Sequence, residues 1–126
     1  MVVTKVIAVV DDEADVRVST RDLLRSYGAQ VLAFDAAESF LASPEAARID
    51  CLVTDFRMPG MNGAALLDAL RQRGATFPVV VISALDSGAT QAFVMSKGAA
   101  AFLRKPVDPD ELVATLEHLN CLGGPR

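Results

Sequence analysis

The stretch VIAVVDD (residues 6–12) joins five consecutive apolar residues to two carboxylates, and CLVTD (residues 51–55) ends on a third. A short apolar run bounded by polar residues is typical of a β-strand buried on both faces. If both runs are parallel strands of one sheet, Asp11, Asp12 and Asp55 meet at the sheet edge where ligands bind in open α/β folds. Crowded carboxylates repel one another unless a cation lies among them. Because hard oxygen ligands suit Mg²⁺, the two stretches predict a divalent-metal site next to a phosphorylated group.

The composition is typical of one soluble domain. The chain has 126 residues, 52% of them hydrophobic, and a net charge of −4. That length is enough to bury a core without disulfides. No stretch reaches the roughly 18 apolar residues of a membrane-spanning helix, and the N-terminus lacks the pattern of a signal peptide. Since there is no run of Lys or Arg, we expect no direct nucleic-acid binding by this chain, no membrane contact and a cytoplasmic location.

The two cysteines carry no recognisable motif. Cys51 lies in a predicted core strand, and Cys121 lies near the C-terminal end of the last helix. Their separation matches no zinc or redox spacing. We interpret them as a buried small hydrophobic residue and a tail thiol.

The chain alternates five times between strand and helix patterns. Predicted strands cover residues 5–10, 30–34, 51–54, 79–82 and 101–103; predicted helices cover 14–27, 35–43, 63–73 and 88–97, with a last helix beginning at 108. Glycines 28, 74 and 98 are expected to end helices. Asp35 with Glu38 predicts a capping box, Pro44 is expected to end that helix, and Asp108 predicts an N-cap.

Five βα units imply an α/β fold with a five-stranded parallel sheet, doubly wound by helices on both faces. We see no internal repeat and no second domain. The expected domain covers residues 1–121, and residues 122–126 are interpreted as a linker or a frayed C-terminal tail.

Two further polar residues follow the last two strands. Ser83 closes the fourth strand, and Lys105 follows the fifth. All the groups able to support chemistry therefore fall at one sheet edge, which a random placement would not produce. They are Asp11, Asp12, Asp55, Ser83 and Lys105.

In this order the motifs resemble a two-component response-regulator receiver domain. The resemblance rests on Asp11-Asp12-Glu13, the stretch DFRMPGMNG (residues 55–63), Ser83-Ala84 and Lys105-Pro106, and it covers essentially the whole chain. Arg57-Met58-Pro59 resembles the FixJ-type branch in particular. The resemblance implies a flavodoxin/CheY-like (βα)5 fold.

The resemblance also implies roles for individual residues. Asp55 would take a phosphoryl group from a phosphohistidine of a histidine kinase. Asp12 and Asp55 would bind Mg²⁺ (or Mn²⁺) directly, Asp11 through a water molecule, and Arg57 through its backbone carbonyl. Lys105 would hold a phosphoryl oxygen by a charge-assisted hydrogen bond.

A switch is implied as well. Ser83 would bind the phosphoryl group once it is present, and Phe102 would rotate into the space that the hydroxyl vacates. The output face would consist of the fourth helix, the fifth strand and the fifth helix. It would serve an output domain, a downstream protein or a homodimer formed on phosphorylation. The peptide bond before Pro106 would be cis. Such a protein is a signalling switch rather than an enzyme, since it catalyses only its own phosphorylation and dephosphorylation.

Other interpretations stay open at this point. Taken singly, each residue fits an ordinary role: loop acid, turn residue, surface lysine or core phenylalanine. A haloacid dehalogenase-type phosphohydrolase also uses an aspartate nucleophile, but it requires a second acid two residues later, where this chain has Arg57. A nucleotide- or flavin-binding domain would require Gly-x-Gly-x-x-Gly after the first strand, where this chain has DDEAD (residues 11–15). A degenerate receiver used only for docking would lack some of the five groups, and all are present.

Overall fold

The computed structural model describes residues 4–84 and 88–122. Its strands are β1 (Val6–Val10), β2 (Gln30–Phe34), β3 (Cys51–Asp55), β4 (Val79–Ser83) and β5 (Ala101–Arg104). Its helices are α1 (Ala14–Ser26), α2 (Ala37–Ala42), α3 (Gly63–Gln72), α4 (Gly88–Ser96) and α5 (Pro109–His118). Leu122, the last described residue, is buried; the rest of the predicted tail lies outside the described residues. Among those residues, no helix combines the length and the apolarity needed to cross a membrane.

The sheet has five parallel strands in the order β2-β1-β3-β4-β5. The predicted fold class is therefore confirmed. The chain goes outward from β1 to β2 and then returns to place β3 on the other side of β1, so the direction of winding reverses between β1 and β3. Val10 pairs with Thr54 across this boundary, which brings Asp11 and Asp55 to the same edge. This is the switch point where open α/β sheets bind their ligands.

Alternate residues of each strand face opposite sides of the sheet, and each side has its own hydrophobic core. Ile7 and Val9 pack with residues of α1 and α5, such as Leu24 and Leu116. Ala8 and Val10 face the other way; their side of the sheet packs against α2, α3 and α4 through Phe40, Leu66 and Val94. A sheet covered on both faces explains why the strands read as uninterrupted apolar runs.

Four helices end in the same hydrogen-bond pattern. At the end of α1 the Gly28 N–H donates to the Arg25 carbonyl, and the Ala29 N–H donates to the Leu24 carbonyl. This is a Schellman motif, which requires a left-handed residue directly after the helix. At the four helix ends the left-handed residues are Gly28 after α1, Gly74 after α3, Gly98 after α4 and Asn120 after α5. The three predicted glycine stops are thus confirmed. The predicted N-cap at Asp108 is confirmed too, because its carboxylate accepts from the Asp110 N–H at 3.0 Å.

The predicted capping box of α2 is wrong. The helix begins at Ala37, and its N-cap residue, Ala36, makes no side-chain cap. The Glu38 carboxylate accepts instead from the Met61 N–H at 3.2 Å, in the loop after β3, so a tertiary contact replaces the local one. Pro44, expected only to end this helix, also begins a 3-10 helix (Pro44–Arg48) that the sequence pattern did not predict.

The loop after β3 depends on the close approach of Gly63, and this gives a test of the fold. A Cβ at Gly63 would lie 3.0 Å from the Phe56 Cα and 3.2 Å from the Asp55 carbonyl oxygen. We expect Gly63→Ala to lower the free energy of unfolding by about 1–3 kcal/mol through overpacking, measured by urea denaturation.

Gly88→Ala is the matched control. A Cβ at Gly88 has no neighbour within 4 Å among the atoms of the described residues. This substitution should be neutral or stabilising by up to about 1 kcal/mol, because alanine has a higher helix propensity than glycine. Equal effects of the two substitutions would contradict the described packing of the loop.

Candidate functional site

The ends of β1 and β3 bring three carboxylates together. One oxygen from each of Asp11, Asp12 and Asp55 lies within 4.8 Å of the other two. Asp11 is 4% exposed and Asp55 is 5% exposed, whereas Asp12 faces solvent. Two nearly buried acids and one exposed acid thus share the sheet edge predicted from the sequence.

Lys105 lies among the carboxylates. Its Nζ is 3.1 Å from Asp55 Oδ2, 3.3 Å from Asp11 Oδ2 and 2.9 Å from Glu13 Oε1. The sequence analysis quoted Glu13 as part of a motif but gave it no role. Its position directly after the two aspartates was the one available signal, since residues of one loop share one edge. A single ammonium group therefore contacts three acids.

Electrostatics in the site follow from burial and these contacts. Burial raises the pKa of Asp55, and the nearby charge of Asp11 raises it further, while the hydrogen bond from Lys105 opposes the shift. Burial alone would lower the pKa of Lys105, but hydrogen bonds to Glu13 and Asp55 outweigh it, so that pKa is raised. Lys105 therefore stays cationic and balances part of the acid charge.

The backbone around Asp11 fixes its carboxylate. The Asp11 N–H donates to the Phe34 carbonyl at 3.1 Å. Asp11 Oδ1 accepts from the Glu13 N–H at 2.9 Å, and the Arg17 guanidinium donates to the Asp11 carbonyl at 2.7 Å. Asp11 Oδ1 therefore accepts a hydrogen bond from its own loop, while Oδ2 faces Lys105.

The loop after β3 fixes Asp55 in a similar way. The Phe56 N–H donates to the Ile82 carbonyl, and the Gly63 N–H donates to the Phe56 carbonyl, both at 2.7 Å. Within the loop, hydrogen bonding by the Arg57 backbone acts to lower the pKa of Asp55, and Met58 is buried in the core. The loop is thereby closed at its base and packed at its centre.

A cavity of about 240 Å³ opens over these groups. Its lining consists of Asp12, Glu13, Asp55, Arg57, Ala84 and Lys105. The nucleophile expected from the sequence, two of its carboxylate neighbours and the lysine therefore face one space.

The two predicted switch residues lie beside the cavity lining rather than within it. Ser83, fully buried, ends β4, and its carbonyl accepts from the Lys105 N–H at 2.9 Å. Phe102 lies in the middle of β5, pairs with Val81 and packs half-buried against the core on the α3 and α4 side. The Lys105–Pro106 peptide bond is cis, as the resemblance implied.

Comparison with known proteins identifies the family to which this fold belongs. A protein-family model described as the response regulator receiver domain matches residues 7–117. The chain belongs to the response regulator receiver domain family. The resemblance found in the sequence is therefore confirmed, and the protein is a receiver of two-component signalling.

Individual relatives agree with this identification. The transcriptional regulatory protein FixJ of Bradyrhizobium diazoefficiens is 36% identical over 111 residues, which cover 88% of this chain and 54% of that protein. The DNA-binding transcriptional regulator NtrC of Salmonella typhimurium is 34% identical, over 90% of this chain and 24% of NtrC. The solved structure of FixJ-N is 32% identical with a TM-score of 0.83, covering 93% of this chain and 94% of that one. This receiver domain spans about half the length of the FixJ relative.

The donor set of the receiver domain fits a divalent cation. Asp11, Asp12 and Asp55 present hard carboxylate oxygens within 4.8 Å of one another. Mg²⁺ is usually held by one or two carboxylates together with water or phosphate oxygens. The exposure of Asp12 leaves such an ion open to further ligands from solvent or substrate.

We expect Asp55→Asn to raise the free energy of unfolding of the metal-free receiver domain at pH 7, because the substitution removes an ionised carboxylate whose burial destabilises the folded state. Burial raises the pKa of Asp55, so the folded protein holds that proton more tightly than the unfolded chain. The ionised carboxylate therefore destabilises the fold above the raised pKa, and this penalty disappears as the pH falls through it. Urea unfolding in the presence of a metal chelator, from pH 7 down through the raised pKa, should show that the stability gained by Asp55→Asn shrinks as the pH falls.

The control is Asp22→Asn, which removes an exposed carboxylate on α1. It should change the free energy of unfolding by less than about 0.5 kcal/mol at any pH tested. Loss of stability in Asp55→Asn at pH 7 would contradict the described balance of charges.

Proposed function

We propose that Asp55 is the phosphoacceptor of this receiver domain and that a histidine kinase supplies the phosphoryl group. The supporting observation is the placement of the Asp55 carboxylate. It ends β3 at the switch point, faces the cavity and lies 3.1 Å from the Lys105 ammonium. A carboxylate held in this way is a competent nucleophile for an acyl-phosphate intermediate.

The transfer forms one bond and breaks another. An Asp55 carboxylate oxygen attacks the phosphorus of the phosphohistidine, the O–P bond forms, and the P–N bond breaks. The departing imidazole nitrogen takes up a proton from solvent. Little covalent chemistry is left to the protein, so positioning and charge neutralisation dominate.

Charge neutralisation has two sources in this proposal. Mg²⁺ or Mn²⁺, held by Asp12 and Asp55, by Asp11 through water and by the Arg57 carbonyl, would offset the charge of the phosphoryl group. Lys105 supplies the second positive charge. Its ammonium group already lies at hydrogen-bond distance from Asp55, so a phosphoryl oxygen attached there would fall within its reach.

The switch follows from the same placement. A phosphoryl group brings about −1.5 to −2 charges, and we propose that it draws the Ser83 hydroxyl toward it at the end of β4. Phe102 on β5 would then turn inward, which changes the surface of α4, β5 and α5. Phe93 and Met95 on α4 are large apolar side chains that are 47% and 41% exposed. The two residues are two positions apart and so lie on different flanks of α4; each leaves apolar surface of that helix open to an output domain or a second copy.

The protein therefore acts as a signalling switch that turns over no metabolite. Its partners in this proposal are a histidine kinase and an output domain or downstream protein, in agreement with relatives that are transcriptional regulators. Homodimer formation on phosphorylation belongs to the same proposal.

The direct test is intact mass after incubation with acetyl phosphate, a small phosphodonor, with and without Mg²⁺. We expect a gain of one phosphoryl group that requires the metal and is absent in Asp55→Asn. Asp22→Asn is the control and should gain the group as the wild type does. No gain in the wild type, although Mg²⁺ still raises its melting temperature, would refute the phosphoacceptor assignment.

Glu13 gives a second prediction. Its carboxylate is 61% exposed, accepts from Lys105 at 2.9 Å and adds negative charge where an anionic phosphodonor must enter. We expect Glu13→Gln to speed phosphorylation by acetyl phosphate about 2–5-fold, the range of an exposed ion pair worth up to about 1 kcal/mol. The rate is measured by following intact mass with time at low ionic strength.

Glu45→Gln makes the same chemical change in the exposed part of the 3-10 helix that leads into the start of β3. Because it lies near the opposite edge of the sheet, it should leave the rate unchanged. A slower reaction in Glu13→Gln would mean that Glu13 assists Lys105 rather than competing with the phosphoryl group.

A further inference from the structure

The two cysteines meet at the edge of the sheet opposite the phosphoacceptor. Cys51 is the first residue of β3, whereas Asp55 is the last. Cys121 follows α5, and both side chains are at most 1% exposed within one core cluster. Their spacing in the sequence predicts no relation between them, but the fold brings residues 70 positions apart into the same cluster.

The end of α5 explains how Cys121 reaches this position. Asn120 adopts a left-handed conformation with φ 62°, and the Cys121 N–H donates to the Leu116 carbonyl at 2.7 Å. This Schellman motif turns the chain back under the sheet. The Cys121 thiol then lies 3.9 Å from the carbonyl oxygen of Asp50, the residue that precedes Cys51.

The two thiols belong to one buried cluster and are not equivalent. A hydrogen bond between them lowers the pKa of Cys121 and raises the pKa of Cys51; burial raises the pKa of Cys51 further and opposes the lowering at Cys121. The positive charge of Lys5 also lowers the pKa of Cys121. Cys121 is thus the stronger candidate for a thiolate nucleophile, with Cys51 next to it as a resolving thiol.

We propose that Cys51 and Cys121 form a redox-modification site that a small hydroperoxide converts into an intramolecular disulfide. The pairing stands on the shared burial of the two side chains in one core cluster and on the position of the Cys121 thiol, 3.9 Å from the Asp50 carbonyl oxygen and so beside the backbone that leads into Cys51. It is independent of the function proposed for Asp55.

The reaction consists of two balanced steps. The Cys121 sulfur attacks one peroxide oxygen, an S–O bond forms, the O–O bond breaks, and the departing hydroxide takes the Cys121 proton to give water. The Cys51 sulfur then attacks the Cys121 sulfur, the S–S bond forms, the S–O bond breaks, and the second water leaves with the Cys51 proton. The two thiols lose two electrons in total, and the peroxide is reduced to two waters.

Burial limits which oxidants reach the two thiols, and the fold determines which elements the disulfide would join. Both thiols are almost fully covered, and burial keeps cysteines inert toward most reagents, so we expect only a small uncharged oxidant such as hydrogen peroxide to react with them. The disulfide would join the end of α5 to the start of β3. It would therefore fix one end of a helix that belongs to the proposed output face while leaving Asp55, at the opposite edge, able to accept a phosphoryl group.

The test uses the folded wild-type chain. The protein is treated with hydrogen peroxide, quenched with catalase, denatured and alkylated with iodoacetamide, and its intact mass is measured. We expect a loss of about 2 Da with neither cysteine alkylated, a cross-linked peptide containing Cys51 and Cys121, and full recovery of two alkylated thiols after dithiothreitol. Two alkylated thiols after peroxide, disulfides only between two chains, or sulfinic acid without a cross-link would each overturn the proposal.

Single variants separate the two roles. In Cys51→Ser, which keeps a hydroxyl donor beside Cys121, the sulfenic acid on Cys121 should persist and be captured by dimedone, whereas in Cys121→Ser the remaining thiol should stay unoxidised over the same time. Dimedone capture at Cys51 in Cys121→Ser, with none at Cys121 in Cys51→Ser, would overturn the assigned asymmetry. If a variant does not fold, the wild-type measurement decides the proposal by itself.

Discussion

The site depends on the contacts of the Lys105 ammonium group with two buried carboxylates. Asp11 and Asp55 are almost fully buried, and an uncompensated buried charge costs several kcal/mol. Lys105 lies within 3.3 Å of both carboxylates, although β5 pairs with β4 and not with β3. Its long side chain must therefore cross the end of β4 to reach them. In the proposed function the phosphoryl group enters a site where a cation and its acids are already in place.

The sheet makes this arrangement rigid. The reversal of winding between β1 and β3 leaves their carboxyl ends open to a ligand, and the register across that boundary brings two aspartates to the same level. Core residues on both faces hold the strands, while the loops that carry the acids are closed by their own backbone hydrogen bonds. The functional side chains thus lie at the ends of fixed strands or on the short loops that follow them, which limits how far each group can move.

The parts that could be predicted from the sequence are those with a local cause. The apolar runs, the glycine helix ends and the Asp108 cap depend on neighbouring residues, so the strands, helix ends and common edge followed from the pattern. The contacts of Glu38 with Met61, of Glu13 with Lys105 and of Cys121 with Asp50, next to Cys51, join residues far apart in the chain. No periodicity or spacing encodes such contacts, because they arise only once the strands are ordered and the loops are closed.

The central claim is that Asp55 carries the phosphoryl group, and locating the modified atom tests it most directly. After phosphorylation, borohydride reduces an aspartyl phosphate to homoserine, and peptide mass mapping then identifies the converted residue. The account predicts homoserine at position 55 and at no other aspartate. Homoserine at Asp11 or Asp12, or a phosphoryl group retained on His118, would contradict it.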